Sequence, residues 1–300
     1  MRIPGFILFI FFIAFQWANA QAPVSQVFLF DVQVLPTGQY GIYHPKLLTG
    51  FNPLGYNNQP YFISDNELVF TSMIPPATQT DIILLNINNL TRQQVTNTAW
   101  SEYSPTLMHD KNHISVVRVD EPADANHPNA VQRLYSYELK PQGKITSILP
   151  EMKNIGYHTW LDDKNVALFL VNKPNQLALV DITTRDPLVF TSDIGRCITG
   201  DDRGHLIYVH KITDKDWFIK DYDPVLQRAS ILAETVKGSE DFVLLPGGNI
   251  LMGSGTKLFA ISPATQKTWT EVADLKFYGI QAITRMSFRN NRLVLVNQSR

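Results

Sequence analysis

Six short apolar segments of the sequence are each preceded by side chains of types that bind ligands or catalyse reactions. The carboxylates and the histidine among them are residue types that ligate metals or transfer protons. The tyrosines and arginines are types that often dominate binding energy. Both a binding surface and a catalytic centre are therefore open interpretations. In chain order the clusters are Asn57, Asn58 and Gln59; Glu102, Tyr103 and Ser104; Tyr157 and His158; Arg196; Glu240 and Asp241; and Thr284 with Arg285.

Motifs that would decide for catalysis are not found in the sequence. There is no G-x-S-x-G nucleophile elbow. The stretch "GGNILMGSGTK" is glycine-rich but does not fit the phosphate-binding pattern, so Gly253 and Gly255 are interpreted as strand-end turns. No catalytic residue, metal or cofactor is predicted. A hydrolase, lactonase or lyase would have to use the clusters themselves, first of all Asn58, Glu102, His158, Glu240 and Asp241.

The elements that position these residues follow from a repeat. An aromatic-led strand, a tight polar turn and a second apolar strand recur six times, most clearly in "WLDDKNVALFL". A second series of hairpins, such as "LALVDITTRDPLV", lies between them. Each period thus holds four short strands, which is typical of a propeller blade. The turn residues of the first series are Asn66, Asn112, Asn165, Gly204, Asn249 and Asn291.

The two ends of the chain predict how the ring closes. The sequence begins with a hairpin of the second series near residues 27–42 and finishes with one of the first series at residues 283–298. Together they complete one blade, so we predict a six-bladed all-β propeller closed by pairing of the N- and C-terminal strands. The stretch "LQRASILAETVK" has a helical alternative but occupies a fourth-strand position. A pair of β-sandwiches is the other fold that gives many short strands.

The repeats resemble a known family. "TWLDDKNVALFLV" and "YFISDNELVFTSM" look like degenerate forms of the W-S-P-D-G-x-x-L-x-F repeat of TolB-like six-bladed propellers, and "EYSPTLMHDKNHISVVRV" is similar to the same element. Other copies depart from it, since "LLPGGNILMG" has no Asp and "SFRNNRLVLV" has no Pro. The resemblance implies the fold, with the aromatic residue packed between blades and Asp at the turn. It does not carry over the partners of TolB.

A propeller gathers the six clusters at one place. Residues entering the innermost strand of every blade converge on one mouth of the central channel, and the connection at residues 121–132 is expected to overhang it. The leading interpretation is a non-enzymatic module that binds a protein segment, glycan or small ligand at this mouth. The alternative is that the mouth residues only satisfy one another, with Arg196 paired to Glu240 or Asp241.

The remaining features concern location and partners. Arg2, the apolar run at residues 6–15 and the small residues at 18–20 predict a signal peptide cleaved after Ala20, and hence an exported protein without a membrane anchor. Residues 21–300 then form one propeller domain. A formal net charge of -1 argues against a nucleic-acid partner. The single cysteine, Cys197, excludes an internal disulfide and favours a bacterial periplasm. Oligomeric state is left open.

Overall fold

Six four-stranded antiparallel sheets make up the computed structural model, which describes residues 22–122, 130–140 and 143–299. The blades are numbered here by their first strands. Blade 1 holds β3 (Tyr56–Phe62), β4 (Glu67–Met73), β5 (Asp81–Asn86) and β6 (Arg92–Gln94). Blade 2 holds β7 (Ser101–Leu107), β8 (His113–Glu121), β9 (Val131–Glu138) and β10 (Ile145–Ser147). Blade 3 holds β11 (Ile155–Trp160), β12 (Asn165–Leu170), β13 (Gln176–Asp181) and β14 (Pro187–Ser192).

Blades 4 and 5 follow the same order, and blade 6 combines strands from both ends of the chain. Blade 4 holds β15 (Ile194–Gly200), β16 (Leu206–Lys211), β17 (Trp217–Asp223) and β18 (Arg228–Glu234). Blade 5 holds β19 (Phe242–Leu245), β20 (Asn249–Ser254), β21 (Lys257–Ile261) and β22 (Thr270–Asp274), with single 3-10 turns at Pro246–Gly248 and Leu275–Tyr278. Blade 6 combines β23 (Ile283–Arg289) and β24 (Arg292–Gln298) with β1 (Ser25–Val34) and β2 (Tyr40–Leu47).

Blade 6 closes the ring as the sequence predicts. Strand β1 pairs with β24 in an antiparallel register that runs from Ser25 opposite Gln298 to Asp31 opposite Arg292. On its other edge β1 pairs with β2. Beyond the ladder, the Ser299 amide donates to the Val24 carbonyl at 3.1 Å. The N-terminal strand is therefore an interior strand of its sheet, hydrogen-bonded on both edges. The predicted six-bladed propeller is confirmed, and "LQRASILAETVK" supplies the fourth strand β18.

The core is divided among the blade interfaces. The second strands of blades 3 and 6, β12 and β24, are mostly apolar and buried, because a sheet covered on both faces needs apolar side chains on both. In blade 2 only residues 114–117 of β8 are buried. The fourth strands are largely exposed. Six clusters of buried side chains result, one between each pair of adjacent blades. The ring is thus stabilised by face-to-face packing of neighbouring blades.

The turn and the aromatic residue of the repeat have the structural roles predicted for them. The Asp162 carboxylate accepts hydrogen bonds from the amides of Lys164 and Asn165, both at 2.7 Å, and so fixes the turn. Trp160 is buried and its indole nitrogen donates to Ser115 Oγ of blade 2 at 2.8 Å. None of the described residues forms a helix long and apolar enough to cross a membrane. Two predicted features, the signal peptide at residues 1–20 and residues 123–129 of the connection over the mouth, lie outside the described residues.

Candidate functional site

Bulges in the first strands set the direction of the side chains near the channel. Regular pairing is interrupted in β3 between Asn58 and Tyr61, and in β7 between Tyr103 and Thr106. It is interrupted again in β11, β15 and β23, each time at or beside a predicted site residue. A bulge re-aims side chains and increases local twist. In β3 and β7 it places Gln59 and Ser104 at φ of 54° and 53°.

Six side chains, one from each blade, converge in a set that we call the channel cluster. Arg285 donates to the Tyr157 hydroxyl at 2.8 Å and pairs with Asp241 at 2.9 Å. Asp241 also pairs with Arg196, at 3.0 Å. Burial raises the pKa of Tyr56, and the phenols of Tyr157 and Tyr103 lie within electrostatic range and act in the same direction. The members of the channel cluster are Tyr56, Tyr103, Tyr157, Arg196, Asp241 and Arg285.

Charge in this region is largely neutralised internally. Glu240 pairs with Lys211 at 2.9 Å, and its Oε1 lies 3.1 Å from Nε of Arg196, whose N–H points elsewhere. Burial alone would raise the pKa of Glu240, but the Lys211 hydrogen bond and the Arg196 charge outweigh it and lower that pKa. With Glu240 and Lys211 included, the cluster holds three cationic and two anionic side chains. The formal net charge of the region is therefore +1.

Gly195 makes the close approach of Glu240 possible. A Cβ at this position would lie 2.7 Å from Glu240 Oε2 and 3.0 Å from Val209 Cβ. The absence of a side chain also lets the amide of the next residue, Arg196, donate to Glu240 Oε2 at 3.2 Å. Cys197 follows directly, and burial raises the pKa of its thiol to about 12. The thiol is therefore held in its neutral form, as a packed side chain.

Two predicted site residues lie between blades and not in the channel cluster. Glu102 is 0% exposed between blades 1 and 2, where its Oε1 accepts from Thr98 Oγ1 at 2.5 Å and from the Tyr137 hydroxyl at 3.0 Å. His158 is buried between blades 2 and 3, with Nε2 at 2.6 Å from Ser115 Oγ. Burial lowers the pKa of His158 to about 3, so its ring is neutral.

Gln59 joins two blades, whereas Asn58 forms a side-chain hydrogen bond with Tyr56 of the channel cluster. Asn58 Oδ1 accepts from the amide of Gln59 at 2.7 Å. Gln59 Oε1 accepts from Thr71 Oγ1 and from the amide of Ser104, both at 2.9 Å, which ties blade 1 to blade 2. The structure therefore places Glu102, His158 and Gln59 between blades. It brings together the other predicted site residues, which are Asn58, Tyr103, Tyr157, Arg196, Glu240, Asp241 and Arg285.

The sequence analysis missed two members of the region. Tyr56 carries a usable signal, because Gly55-Tyr56 at the start of blade 1 matches Gly156-Tyr157 at the start of blade 3. Lys211 has no such signal, since it comes from the far end of the second strand of blade 4. Within the described ranges, no group of three or more His, Cys, Asp or Glu side chains is placed to hold a metal ion.

Comparison with known proteins gives the fold. No protein-family model and no curated protein matches the sequence. Among solved structures, TolB from Acinetobacter baumannii matches with a TM-score of 0.58 at 13% identity. That match covers 92% of this chain and 64% of the other. This chain has the six-bladed propeller fold of TolB.

Two further solved structures match this chain over almost their whole length. The putative TolB from Agrobacterium tumefaciens has a TM-score of 0.66 at 8% identity, with 93% of this chain and 99% of the other covered. A chain of a nidogen/laminin complex has a TM-score of 0.64 at 11% identity, with 91% and 98% covered. The resemblance to TolB-like propellers predicted from the repeats is confirmed at the level of fold. This chain spans less than two thirds of the length of the Acinetobacter TolB.

We expect the buried carboxyl group of Glu102 to make the free energy of unfolding depend on pH, and we expect Glu102→Gln to remove that dependence. Burial raises the pKa of Glu102 from 4.5 to about 7. Because the folded state then holds a proton that the unfolded state has released, stability decreases as pH rises from about 4.5 through about 7. Glu102→Gln stays neutral and is expected to be the more stable protein at pH 8, by at most about 3 kcal/mol.

Urea unfolding of both proteins at pH 5 and pH 8 measures this difference. The control is Glu121→Gln, an exposed glutamate on the next strand, β8, which is expected to follow the parent at both pH values. Equal loss of stability between pH 5 and pH 8 in the parent and in Glu102→Gln would show that Glu102 is ionised in the folded state.

Proposed function

We propose that this chain is an exported, non-enzymatic binding module whose channel cluster recognises an extended protein segment carrying a carboxylate. The observation that supports it most directly is the convergence of side chains from all six blades. Four of them are joined by hydrogen bonds and ion pairs, and Tyr56 and Tyr103 lie within electrostatic range. A ligand at such a place touches several blades at once while the sheets behind it stay rigid. A glycan or another small ligand is the second candidate for the same surface.

The composition of the cluster supports binding of an acidic segment. Tyrosine supplies apolar area with a polar tip, and arginine supplies a planar fork of donors that matches a carboxylate. Tyr103 lies beside Tyr56, and its hydroxyl has no hydrogen-bond partner among the residues with described positions. The formal charge of +1 attracts an anion more than a cation.

The state of the acidic groups favours binding over catalysis. Glu240 and Asp241 are each engaged by two cationic side chains. Glu102 and His158, the other candidates for proton transfer, are buried between blades, away from the channel cluster. A hydrolase, lactonase or lyase remains the alternative function. Turnover of lactones, acidic oligosaccharides or peptides that is lost in Glu240→Gln would establish it.

Loss of Tyr103 is expected to weaken peptide binding at the channel cluster. Short peptides selected from a displayed library on the parent protein provide the ligand, and calorimetry measures the affinity. Tyr103→Ala removes a half-buried ring whose hydroxyl forms no hydrogen bond with the described residues, so no other group loses a partner. We expect peptide binding to weaken by about 2 kcal/mol, the size of a dominant contact. Arg196→Ala and Tyr157→Ala are expected to weaken binding too, with an added loss of stability through Asp241 and Arg285.

The matched control lies on the outer edge of the protein. Lys140 is 62% exposed and pairs with Glu138 on the rim of blade 2. Lys140→Ala is expected to leave the affinity unchanged. If the selected peptides bind Tyr103→Ala and the parent equally well, recognition takes place on the blade sides or on the opposite face. The carboxylate contact is tested separately with a peptide whose carboxylate has been converted to an amide. We expect this peptide to bind the parent protein more weakly than its free acid does.

The exported location rests on the N-terminal pattern of the sequence. A basic start, an apolar run of ten residues and a small-x-small site precede the propeller. The mature protein is expected to begin at Gln21. Mass spectrometry of the N-terminal peptide, recovered from the periplasm or the medium, tests this, and a peptide beginning at Met1 in the mature protein would contradict it.

A further inference from the structure

A cavity of about 330 Å³ opens on the outer side of the ring between blades 3 and 4. Its walls come from β14 of blade 3 and from β16, β17 and the start of β18 of blade 4. It is separate from the channel cluster, whose members lie on the first strands or, for Asp241, directly before one. Cavities of this size are at the lower end of those that hold small molecules. The side chains that decide its chemistry are Leu188, Phe190, Tyr208, Lys220 and Tyr222.

Lys220 brings a positive charge to this cavity without an acidic partner. Its ammonium group lies 2.8 Å from Nδ1 of His210. Since an ammonium group has only donors, that nitrogen accepts, and His210 is neutral with its proton on Nε2. Burial lowers the pKa of Lys220, and no carboxylate in the described part of the chain offsets it. The charge is therefore available to an anion that enters the cavity.

Two buried tyrosines add donors without acceptors. Tyr208 is 2% exposed and Tyr222 is 4% exposed, and both line the cavity. Neither hydroxyl has a hydrogen-bond partner among the residues at 22–122, 130–140 and 143–299, and neither oxygen is sealed from solvent. Burial and the neighbouring Tyr222 phenol raise the pKa of Tyr208 to about 12, so it stays a donor. Both hydroxyls therefore open into the cavity that Lys220 also lines, where they can donate to an acceptor that enters it.

The rest of the wall is apolar and aromatic. Phe190 stacks on Tyr222 with ring centroids 4.1 Å apart at 14°, and it meets Tyr208 edge-on at 6.3 Å. Leu188 is 47% exposed at the entrance. Such a wall suits a flat apolar group, which gains from contact with aromatic rings and from leaving water. The cavity thus combines an apolar wall with three donors, of which only Tyr222 has a carboxylate among the described residues, that of Asp223, near enough to raise its pKa.

We propose that this cavity is a binding site for a small aromatic monocarboxylate. The carboxylate accepts hydrogen bonds from the Lys220 ammonium group and from the hydroxyls of Tyr208 and Tyr222. The ring lies against Phe190 and Leu188. A carboxylate suits this set because it offers two acceptor oxygens and one negative charge, and hydrogen bonds to a charged group are the stronger ones. This site is independent of the peptide-binding function proposed for the channel cluster.

Titration of the full mature chain with benzoate tests the proposal, with benzamide as the neutral probe of the same shape. Benzoate is expected to bind one per chain with a Kd below about 1 mM, and benzamide at least about tenfold more weakly. Calorimetry gives both values. Equal affinity for the two probes, or no benzoate binding up to about 10 mM, would overturn the proposal.

Three conservative variants locate the site. Lys220→Met keeps the length of the side chain and removes its charge, and is expected to weaken benzoate binding at least about tenfold. Tyr208→Phe and Tyr222→Phe remove one hydroxyl each while keeping the ring stack, so a loss of several-fold is expected. Thermal unfolding of each variant confirms that it is folded. Unchanged benzoate affinity in all three folded variants would place the anion elsewhere. Tyr103→Ala, in the channel cluster, is expected to leave benzoate binding unaltered.

Discussion

Deletion of residues 22–47 is expected to abolish cooperative unfolding of this protein. The deleted segment contains β1 and β2, which are half of blade 6. Val27 and Phe30 on β1 are both 0% exposed and belong to different buried clusters, one shared with blade 1 and one with blade 5. Their removal opens the ring and leaves one edge of β24 unpaired, which favours aggregation. Denaturant unfolding followed by tryptophan fluorescence, with light scattering, measures both effects.

Point variants on the same strand separate ring closure from chain length. Phe30→Ala keeps every residue but creates a cavity at the interface of blades 5 and 6, and is expected to cost about 3–5 kcal/mol. Val34→Glu at the 65% exposed end of β1 is expected to leave stability unchanged. A deletion variant that unfolds cooperatively at the midpoint of the parent would show that closure by β1 is dispensable.

Most of the fold follows from local chemistry that a single sequence displays. The turn at Asp162 and Asn165 depends on a carboxylate that caps nearby amides, so residue type alone identifies it. The split blade follows from counting hairpins at the two ends of the chain. The pairing of Arg196 with Glu240 or Asp241, which belongs to the alternative in which the mouth residues satisfy one another, is present, and Arg196 pairs with both.

The members of the channel cluster are harder to predict from the sequence, because they depend on which face of the strand each side chain points to and on where bulges occur. Neighbouring residues on a strand point to opposite faces, so Glu102 and Tyr103 cannot both reach the channel. The tyrosine does so in this pair, and again in the pair Tyr157 and His158, while its neighbour is buried between blades. Glu240 and Asp241 escape this rule because they precede β19, where alternation begins. Bulges in the other first strands then shift the alternation by amounts that a single sequence does not specify.

Asp241→Asn is expected to be the most destabilising conservative substitution in the channel cluster. The Asp241 side chain is 8% exposed and pairs with Arg285 at 2.9 Å and with Arg196 at 3.0 Å. Arg285 is itself only 15% exposed, and although burial would lower its pKa, the Asp241 charge keeps that pKa raised. Without the carboxylate, two guanidinium groups repel each other where water cannot fully solvate them. Removal of one partner of a buried ion pair costs about 3–5 kcal/mol.

The measurement is the free energy of unfolding in urea, with Asp65→Asn as the matched control. Asp65 also pairs with an arginine, Arg289, but both side chains are about half exposed, so its change is expected to have little effect. The double variant Asp241→Asn with Arg285→Met is expected to recover part of the loss, because it removes the unpaired buried charge as well. Equal stability of Asp241→Asn and Asp65→Asn would show that water solvates the arginines of the channel cluster. In that case the positive charge proposed to attract an acidic segment would be screened, and the peptide affinity of Asp241→Asn would equal that of the parent.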